Sequence, residues 1–342
     1  MKIGNRLISD KAKPLIIAEI GINHQGSFQL AKKLISKAKN SGCECVKFQS
    51  HNVYEEMVKT NIKPGNSNQT IWNIIKKNEI SFEQEKKLKK YAEKLGLIFL
   101  STPFSREAAD RLNSIGVKAF KIGSGECNNY PLIEHICKKN KPIILSTGMN
   151  NIKTVSKAVK IIRKYNIQYC LLQCSSIYPT PHNRVRIKSM KHLKTRFKDA
   201  KVGYSDHTLG MDALRHSISL GATIVEKHFT LDRSLKGPDM NVSMNPNELR
   251  EIVIYANNVS MMNKGLEKVI LKEEKPTIRF AYASVVTVCD IKKGEKLTKK
   301  NIWVKRPGTG DYLAEDFDKI IGKISTKPII SGNQIKIGDF IE

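Results

Sequence analysis

Glu19, Lys47, Gln49, Thr102, Lys121, Ser124, Glu126, Ser146, Ser176, Ser205, His207, Glu226 and His228 all stand at or just past the ends of short apolar runs. Their types point to one kind of chemistry. Lysine is rarely buried unless paired, so Lys47 and Lys121, each after an apolar run, suit a bound anion. The alternative for either is a Schiff-base lysine, which predicts an aldolase of another kind. Hydroxyls at Thr102, Ser124, Ser146 and Ser205 can hydrogen-bond phosphate oxygens, although each alone serves equally as a cap or turn residue. Glu126, after the turn GSGE, and Glu19 are candidates for general acid–base work; a salt bridge to a nearby lysine is the plain alternative. His207 in GYSDHT and His228 in VEKHFT would meet at one ion if their strands are neighbours. Imidazole suits Mn, Fe, Co or Zn, and two protein ligands leave positions for water and a substrate oxygen. Two hydrogen-bonded structural histidines are the competing reading. Asp239, in KGPDMNVS, lies in a loop fit to cover a ligand.

The elements that must position these residues repeat. Apolar runs at 14–19, 43–49, 97–102, 118–124, 142–147, 169–175, 201–205 and 222–228 are short and rich in β-branched or aromatic residues, hence strand-like. Amphipathic segments such as FQLAKKLISKAKNSG, SREAADRLNSIG and VSKAVKIIRKYN separate them and read as helices closed by Gly or Asn. Strand–helix units in this succession predict a (β/α)8 TIM barrel over residues 1–263, with function at the C-terminal strand ends. A doubly wound sheet is the alternative, but it would gather polar residues near one switch point rather than at nearly every strand end. Residues 264–281 are charged and irregular and read as a linker. Residues 282–342 read as a small strand-rich domain with turns at KKGE and SGNQ. Such a domain has a limited core and is expected to lean on a partner surface.

The 342-residue chain has ordinary globular composition, 40% hydrophobic and 27% charged. No run of about 18 apolar residues predicts a membrane span, and the N-terminal MKIGNRLISDKAKP lacks the apolar stretch of a secretory signal. Seven cysteines without a CxxC pair favour reduced thiols and a cytoplasmic location. The net charge of +27 raises nucleic-acid binding as a rival reading. Lysines recurring among apolar helix positions, as in KLISKAK and EQEKKLKKYAEK, with no nucleic-acid motif, favour solvated helix faces. The excess charge would still draw in an anionic substrate.

The runs EIGINHQGS, LSTPFSR, KIGSGECNNYPLI, LSTGMN, IYPTPHN, GYSDHT, EKHFTLD and GPDMNVSM resemble bacterial sialic acid (N-acetylneuraminate) synthases. The tail, ASVV through NIWVKRPGTGD, resembles their antifreeze-like SAF domain. The resemblance covers nearly the whole chain. It implies a barrel joined to a SAF domain and a domain-swapped homodimer. It implies condensation of phosphoenolpyruvate with N-acetylmannosamine, giving N-acetylneuraminate and phosphate with Mn2+ or a similar ion such as Mg2+ or Co2+. It implies metal ligation by His207 and His228. It places Lys47, Thr102, Lys121, Ser124, Ser146, Ser205 and His207 around phosphoenolpyruvate, with Ser176 where the family's CTNIYPTP has asparagine. Glu126 and Glu19 fall at acid–base and metal-water positions, and Asn66, Tyr178 and Asp239 at sugar contacts. Arg306 falls at the position from which the partner's small domain reaches the sugar. Phe48, in KFQSH where the family has KHQTH, is closer to legionaminic acid synthases, which use a 6-deoxy diacetamido sugar. GECNNYPLI and RPGTGD point back to N-acetylneuraminate, which is the expected product.

Overall fold

The computed structural model describes residues 1–65, 67–235 and 237–341. These divide into two compact units, Met1–Lys264 and Gly265–Glu342. In the first, a two-strand hairpin (β1, Lys2–Ile3; β2, Arg6–Leu7) precedes eight parallel strands. These are β3 (Leu15–Gly21), β4 (Cys45–Ser50), β5 (Ile98–Pro103), β6 (Phe120–Ile122), β7 (Ile143–Ser146), β8 (Tyr169–Cys174), β9 (Lys201–Asp206) and β10 (Ile224–His228). Hydrogen-bonded neighbours run β5-β4-β3-β10-β9-β8-β7-β6. β5 and β6 lie side by side and bring the sheet to a nearly closed barrel. The eight apolar runs of the sequence are the eight strands.

Helices alternate with the strands on the outside: α1 (Phe28–Asn40), α2 (Val53–Glu56), α3 (Ile71–Asn78), α4 (Phe82–Lys94), α5 (Arg106–Ser114), α6 (Tyr130–Cys137), α7 (Ile152–Lys164), α8 (Ser189–Arg196), α9 (Asp212–Ser219) and α10 (Pro246–Met262). Their starts are written locally. Ser27, Ser105 and Asn151 accept backbone N–H groups that the first turn leaves unpaired. Ser81 with Gln84, and Asn245 with Glu248, form reciprocal capping boxes. Helices α2 and α3 are additions between β4 and α4 that the sequence did not announce. They share a small core of Val53, Trp72 and Ile75.

Side chains alternate across a strand, and that period sets the site. An inward apolar layer contains Ile17, Cys45, Leu100, Ala119, Ile144, Leu172 and Ile224. Two residues further along the same strands stand Glu19, Lys47, Thr102, Lys121, Ser146, Cys174 and Glu226. Gly203 completes the lower layer, followed by Ser205. A Cβ at Gly203 would collide with the Ile224 carbonyl and the Leu172 side chain, so the strands approach there as only glycine allows. Ile3, within the hairpin, and Ile8, just after it, join the apolar layer and plug the barrel's N-terminal end. The outward residues, among them Ile20, Val46, Phe99, Phe120, Leu171 and Val225, form the larger core beneath the helices. Phe48 belongs to this outer set. It is fully buried against Phe99, ring centroids 5.4 Å apart, and so does not enter the barrel mouth.

The second unit contains a short helix, Lys275–Ala281, within the stretch read as linker. Its strands pair antiparallel: β11 (Ser284–Thr287) with β12 (Ile302–Lys305), and β13 (Ile324–Ser325) with β14 (Phe340–Ile341). A core of Val285, Ile291, Leu297, Ile302, Ile320, Ile329 and Ile335 holds it together. Among the described residues, no helix is long and apolar enough to cross a membrane.

Candidate active site

The polar layer opens into an inner chamber of about 270 Å³ at the C-terminal strand ends. Glu19, Lys47, Thr102, Lys121, Ser124, Ser146, Ser176, Tyr178, Ser205, His207 and His228 all line it, with Gln49, Cys174 and Glu226. An outer chamber of about 690 Å³ shares Gln49, Phe104, Ser176, Tyr178 and His228 with the inner one. Asp239 lines the outer chamber, as do Ile22, Met57, Ile71, Ile74, Ile75 and Ile177. Glu126 sits in the turn after β6 and accepts the Asn129 amide at 2.6 Å; it lines neither chamber. Arg306 is exposed on the second unit. Asn66 lies outside the described residues.

The inner chamber is a network of alternating charge. Lys47 Nζ lies 2.7 Å from Glu19 Oε2 and 3.9 Å from Glu226 Oε2, and donates to Thr102 Oγ1 at 3.1 Å. Lys121 Nζ donates to Ser146 Oγ at 2.7 Å and lies 3.6 Å from Glu226 Oε1. Ser205 Oγ donates to the same oxygen at 3.2 Å. The two lysines therefore already face two carboxylates, and the acidities of the carboxylates split. Burial raises Glu19 to about 7, although Lys47 opposes the shift. Burial also works against ionised Glu226, but Lys121 and Lys47 outweigh it and hold that pKa down. Burial pulls Lys121 down, only partly offset by Glu226. Glu226 was visible at its strand end, but nothing in the sequence gave it this central position between both cations.

A second chain of contacts joins the chambers. Gln49 Nε2 donates to Glu19 Oε1 at 3.1 Å, and Gln49 Oε1 lies 3.0 Å from His51 Nε2. His51 Nδ1 meets Glu56 at 2.8 Å, and its ring stacks on Phe104. Opposite, Gly148 N–H donates to Ser124 Oγ at 3.0 Å. A side chain at 148 would collide with the Ser176 and Ser124 hydroxyls.

The two histidines fit a divalent ion with two protein ligands. Their ring centroids are 5.6 Å apart. His207 Nδ1 lies 2.9 Å from the Ser175 carbonyl, which assigns the proton there and leaves the Nε2 lone pair facing the Tyr178 hydroxyl at 2.8 Å. His228 Nδ1 is buried without a hydrogen-bond partner. Burial, His207 and Lys47 hold the His228 pKa well below its ordinary value, so its ring is neutral and able to ligate. Burial disfavours a charge on His207, while Cys174 and the Ser175 carbonyl favour it and leave its pKa raised; a cation on Nε2 would act in the opposite sense. Asp239 Oδ2 stands 3.8 Å from His228 Nδ1. No group of three or more His, Cys, Asp or Glu forms a complete metal cage among the described residues. Water and substrate would have to complete the coordination.

Comparison with known proteins agrees in extent with this architecture. The model of the NeuB family matches residues 34–268, and that of the SAF domain matches residues 282–341. The N,N'-diacetyllegionaminic acid synthase of Campylobacter jejuni is 40% identical, covering 92% of this chain and 96% of the relative. Human N-acetylneuraminate-9-phosphate synthase is 32% identical, covering 90% and 87%. The crystal structure of an N-acetylneuraminic acid synthetase from Leptospira borgpetersenii superposes with a TM-score of 0.75 at 29% identity, covering 81% of this chain and 94% of that one.

Proposed function

This chain belongs to the NeuB family, and we propose on that premise that it condenses phosphoenolpyruvate with open-chain 2,4-diacetamido-2,4,6-trideoxymannose to give N,N'-diacetyllegionaminic acid and phosphate. The observation that carries the choice of sugar is the wall of the outer chamber. Ile22, Met57, Ile71, Ile74, Ile75 and Ile177 line it as an apolar set, beside the polar Gln49, His51, Glu56, Ser176, Tyr178, His228 and Asp239. A 6-methyl and a second acetamido group gain more from such a wall than the hydroxyls of N-acetylmannosamine do. The 40% identity to the Campylobacter enzyme supports the same sugar. GECNNYPLI and RPGTGD support the second reading, N-acetylmannosamine as substrate and N-acetylneuraminate as product.

In this reading the inner chamber takes phosphoenolpyruvate. Lys47 and Lys121 face its carboxylate and phosphate, and Thr102, Ser124, Ser146, Ser176 and Ser205 donate hydroxyls. Because both lysines are already paired, the incoming anion favours protonated Glu19, the carboxyl that burial has brought to about 7. A divalent ion, with Mn2+ expected and Mg2+ or Co2+ as alternatives, would be held by His207 and His228 and would supply Lewis acidity toward the sugar's aldehyde oxygen. C3 of phosphoenolpyruvate forms a bond to the aldehyde carbon, whose oxygen takes up a proton. Water adds at C2 and loses a proton. The tetrahedral intermediate then expels phosphate by C–O cleavage, leaving the 2-keto acid. The acid–base work expected of Glu126 falls to Glu19, which lines the chamber where Glu126 does not. Tyr178 and Asp239 border the sugar, with Asn66 assigned to it by resemblance. Arg306 is carried as the partner's contribution to a domain-swapped homodimer.

Purified protein offered each sugar with phosphoenolpyruvate and Mn2+ tests the reading. A higher kcat/KM for the diacetamido sugar is expected. A higher value for N-acetylmannosamine overturns the choice of sugar, and turnover of neither overturns the reaction.

A further inference from the structure

His207 and His228 are each preceded by a buried residue of opposite charge, and these two predecessors are bonded to one another. Asp206 and Lys227 are cross-strand partners in the β9–β10 ladder. Both residues border the chamber, but alternation along the strands turns their side chains to the face opposite the histidines, where Asp206 meets Tyr204 of the outer core. Lys227 Nζ lies 2.5 Å from Asp206 Oδ2, and both side chains are essentially inaccessible to solvent. The same ammonium donates to the Thr208 carbonyl at 2.7 Å. One cation therefore grips the chain immediately before and immediately after His207, and that cation belongs to the residue immediately before His228.

Asp206 is held as firmly. It accepts the Tyr204 hydroxyl at 2.9 Å, the Thr208 N–H at 3.1 Å and the Thr208 hydroxyl at 3.0 Å. The His207 carbonyl in turn accepts the Thr180 N–H at 2.9 Å, which ties the Tyr178 segment to the same point. No such ion pair is needed for stability. Taking two charges out of water costs about as much as their attraction returns, and replacing a buried pair by apolar groups of similar volume is often neutral or stabilising. What the pair fixes is geometry: how far apart, and at what angle, two neighbouring strand ends present their imidazoles.

We propose that Asp206 and Lys227 are positioning residues that hold His207 and His228 at ligating distance for a divalent ion. The proposal rests on the reading of those histidines as metal ligands. Outer-shell groups that orient metal ligands weaken metal affinity by about ten- to a hundredfold when removed. Folding does not depend on them in the same way, so the two readouts separate.

The test uses the full chain and Co2+, whose visible bands report imidazole ligation. The variant Asp206→Asn/Lys227→Met removes both charges, keeps an acceptor for Tyr204 and Thr208, and preserves volume. Expected are a Tm at or above that of the parent protein, Co2+ affinity weakened by about tenfold or more, a lower kcat, and a KM for phosphoenolpyruvate changed by less than about twofold. Lys227→Arg, which keeps a cation and its donors, should restore most of the Co2+ affinity. Parent-like Co2+ affinity and kcat in the neutral variant overturn the proposal. So does a KM for phosphoenolpyruvate that rises with the loss of kcat, which marks general distortion. If the neutral variant does not fold, Asp206→Glu, which keeps the pair charged but displaces it by one methylene, is read by Co2+ affinity and kinetics alone. Should the parent protein itself show no imidazole-ligated Co2+, the metal reading fails first and takes this proposal with it.

Discussion

Lys47 and Glu19 are cross-strand partners on β4 and β3, and their charged groups meet at 2.7 Å inside a barrel from which both are all but hidden from water. The contact makes the inner chamber close to neutral rather than cationic. An anionic substrate must therefore compete with Glu19 for Lys47, or find Glu19 protonated.

Two substitutions separate those roles. Lys47→Met should raise the KM for phosphoenolpyruvate by about ten- to a hundredfold, the value of a charged hydrogen bond. Glu19→Gln leaves Lys47 free for the anion, so that KM should stay level or fall while kcat drops by about a hundredfold or more. Steady-state kinetics at saturating sugar decide it; a Glu19→Gln variant with parent-like kcat removes Glu19 from the acid–base role.

The proposed two-ligand metal site gives a sharper expectation. His207→Ala and His228→Ala should each lose metal-dependent turnover while unfolding near the parent Tm. Addition of chelator should bring the parent protein to the same residual rate, with Mn2+ restoring it. Full activity of either variant in chelator would end the metal assignment.

Met57→Gln places an amide in the apolar outer wall without a change of length. It should lower the kcat/KM ratio of the diacetamido sugar over N-acetylmannosamine by about tenfold, the scale on which apolar pockets discriminate. Competition between the two sugars measures this directly; an unchanged ratio means that the sugar's outer substituents do not touch this wall.

Away from the site, Glu85 is buried in α4, where it accepts the Ser50 and Ser101 hydroxyls at 2.9 Å each. Burial raises its pKa above the ordinary 4.5 despite those bonds. Because the folded state binds the proton more tightly than the unfolded one, stability from this group is full below pH 4.5 and falls as pH rises through the folded pKa. Glu85→Gln should therefore be more stable than the parent at pH 7, with the gap closing toward pH 4. Urea unfolding across that range checks the sign, and a gap that widens on acidification would refute it.

Much of this was legible in the sequence because a barrel writes its function in a simple rhythm. An apolar residue followed two positions later by a charged or hydroxyl residue marks each inward face, and Cys45 with Lys47, or Ile224 with Glu226, can be read without coordinates. The same rhythm places Phe48, between Lys47 and Gln49, on the outer face, so its departure from the family's run cannot touch a substrate. What could not be read depends on distances between strands. Glu226 becomes central only when both lysines lean toward it, and the Asp206–Lys227 pair exists only in the β9–β10 register. Helices α2 and α3 leave little trace in the sequence because each is short and the chain between them is polar. Glu126 follows a strand in the sequence, but its contact with Asn129 depends on the turn after β6, which the sequence does not display.

The hairpin that plugs the bottom of the barrel has a consequence for traffic. With Ile3 and Ile8 sealing one end, the inner chamber is blind at its base, and among the described residues it shares Gln49, Phe104, Ser176, Tyr178 and His228 with the outer one. If phosphoenolpyruvate takes that base and the sugar the outer chamber, as proposed, phosphoenolpyruvate is expected to arrive first. On the same placement, phosphate released behind the new sugar acid is expected to leave after it. The arrangement proposed here thus predicts an order of arrivals and departures, last in and first out.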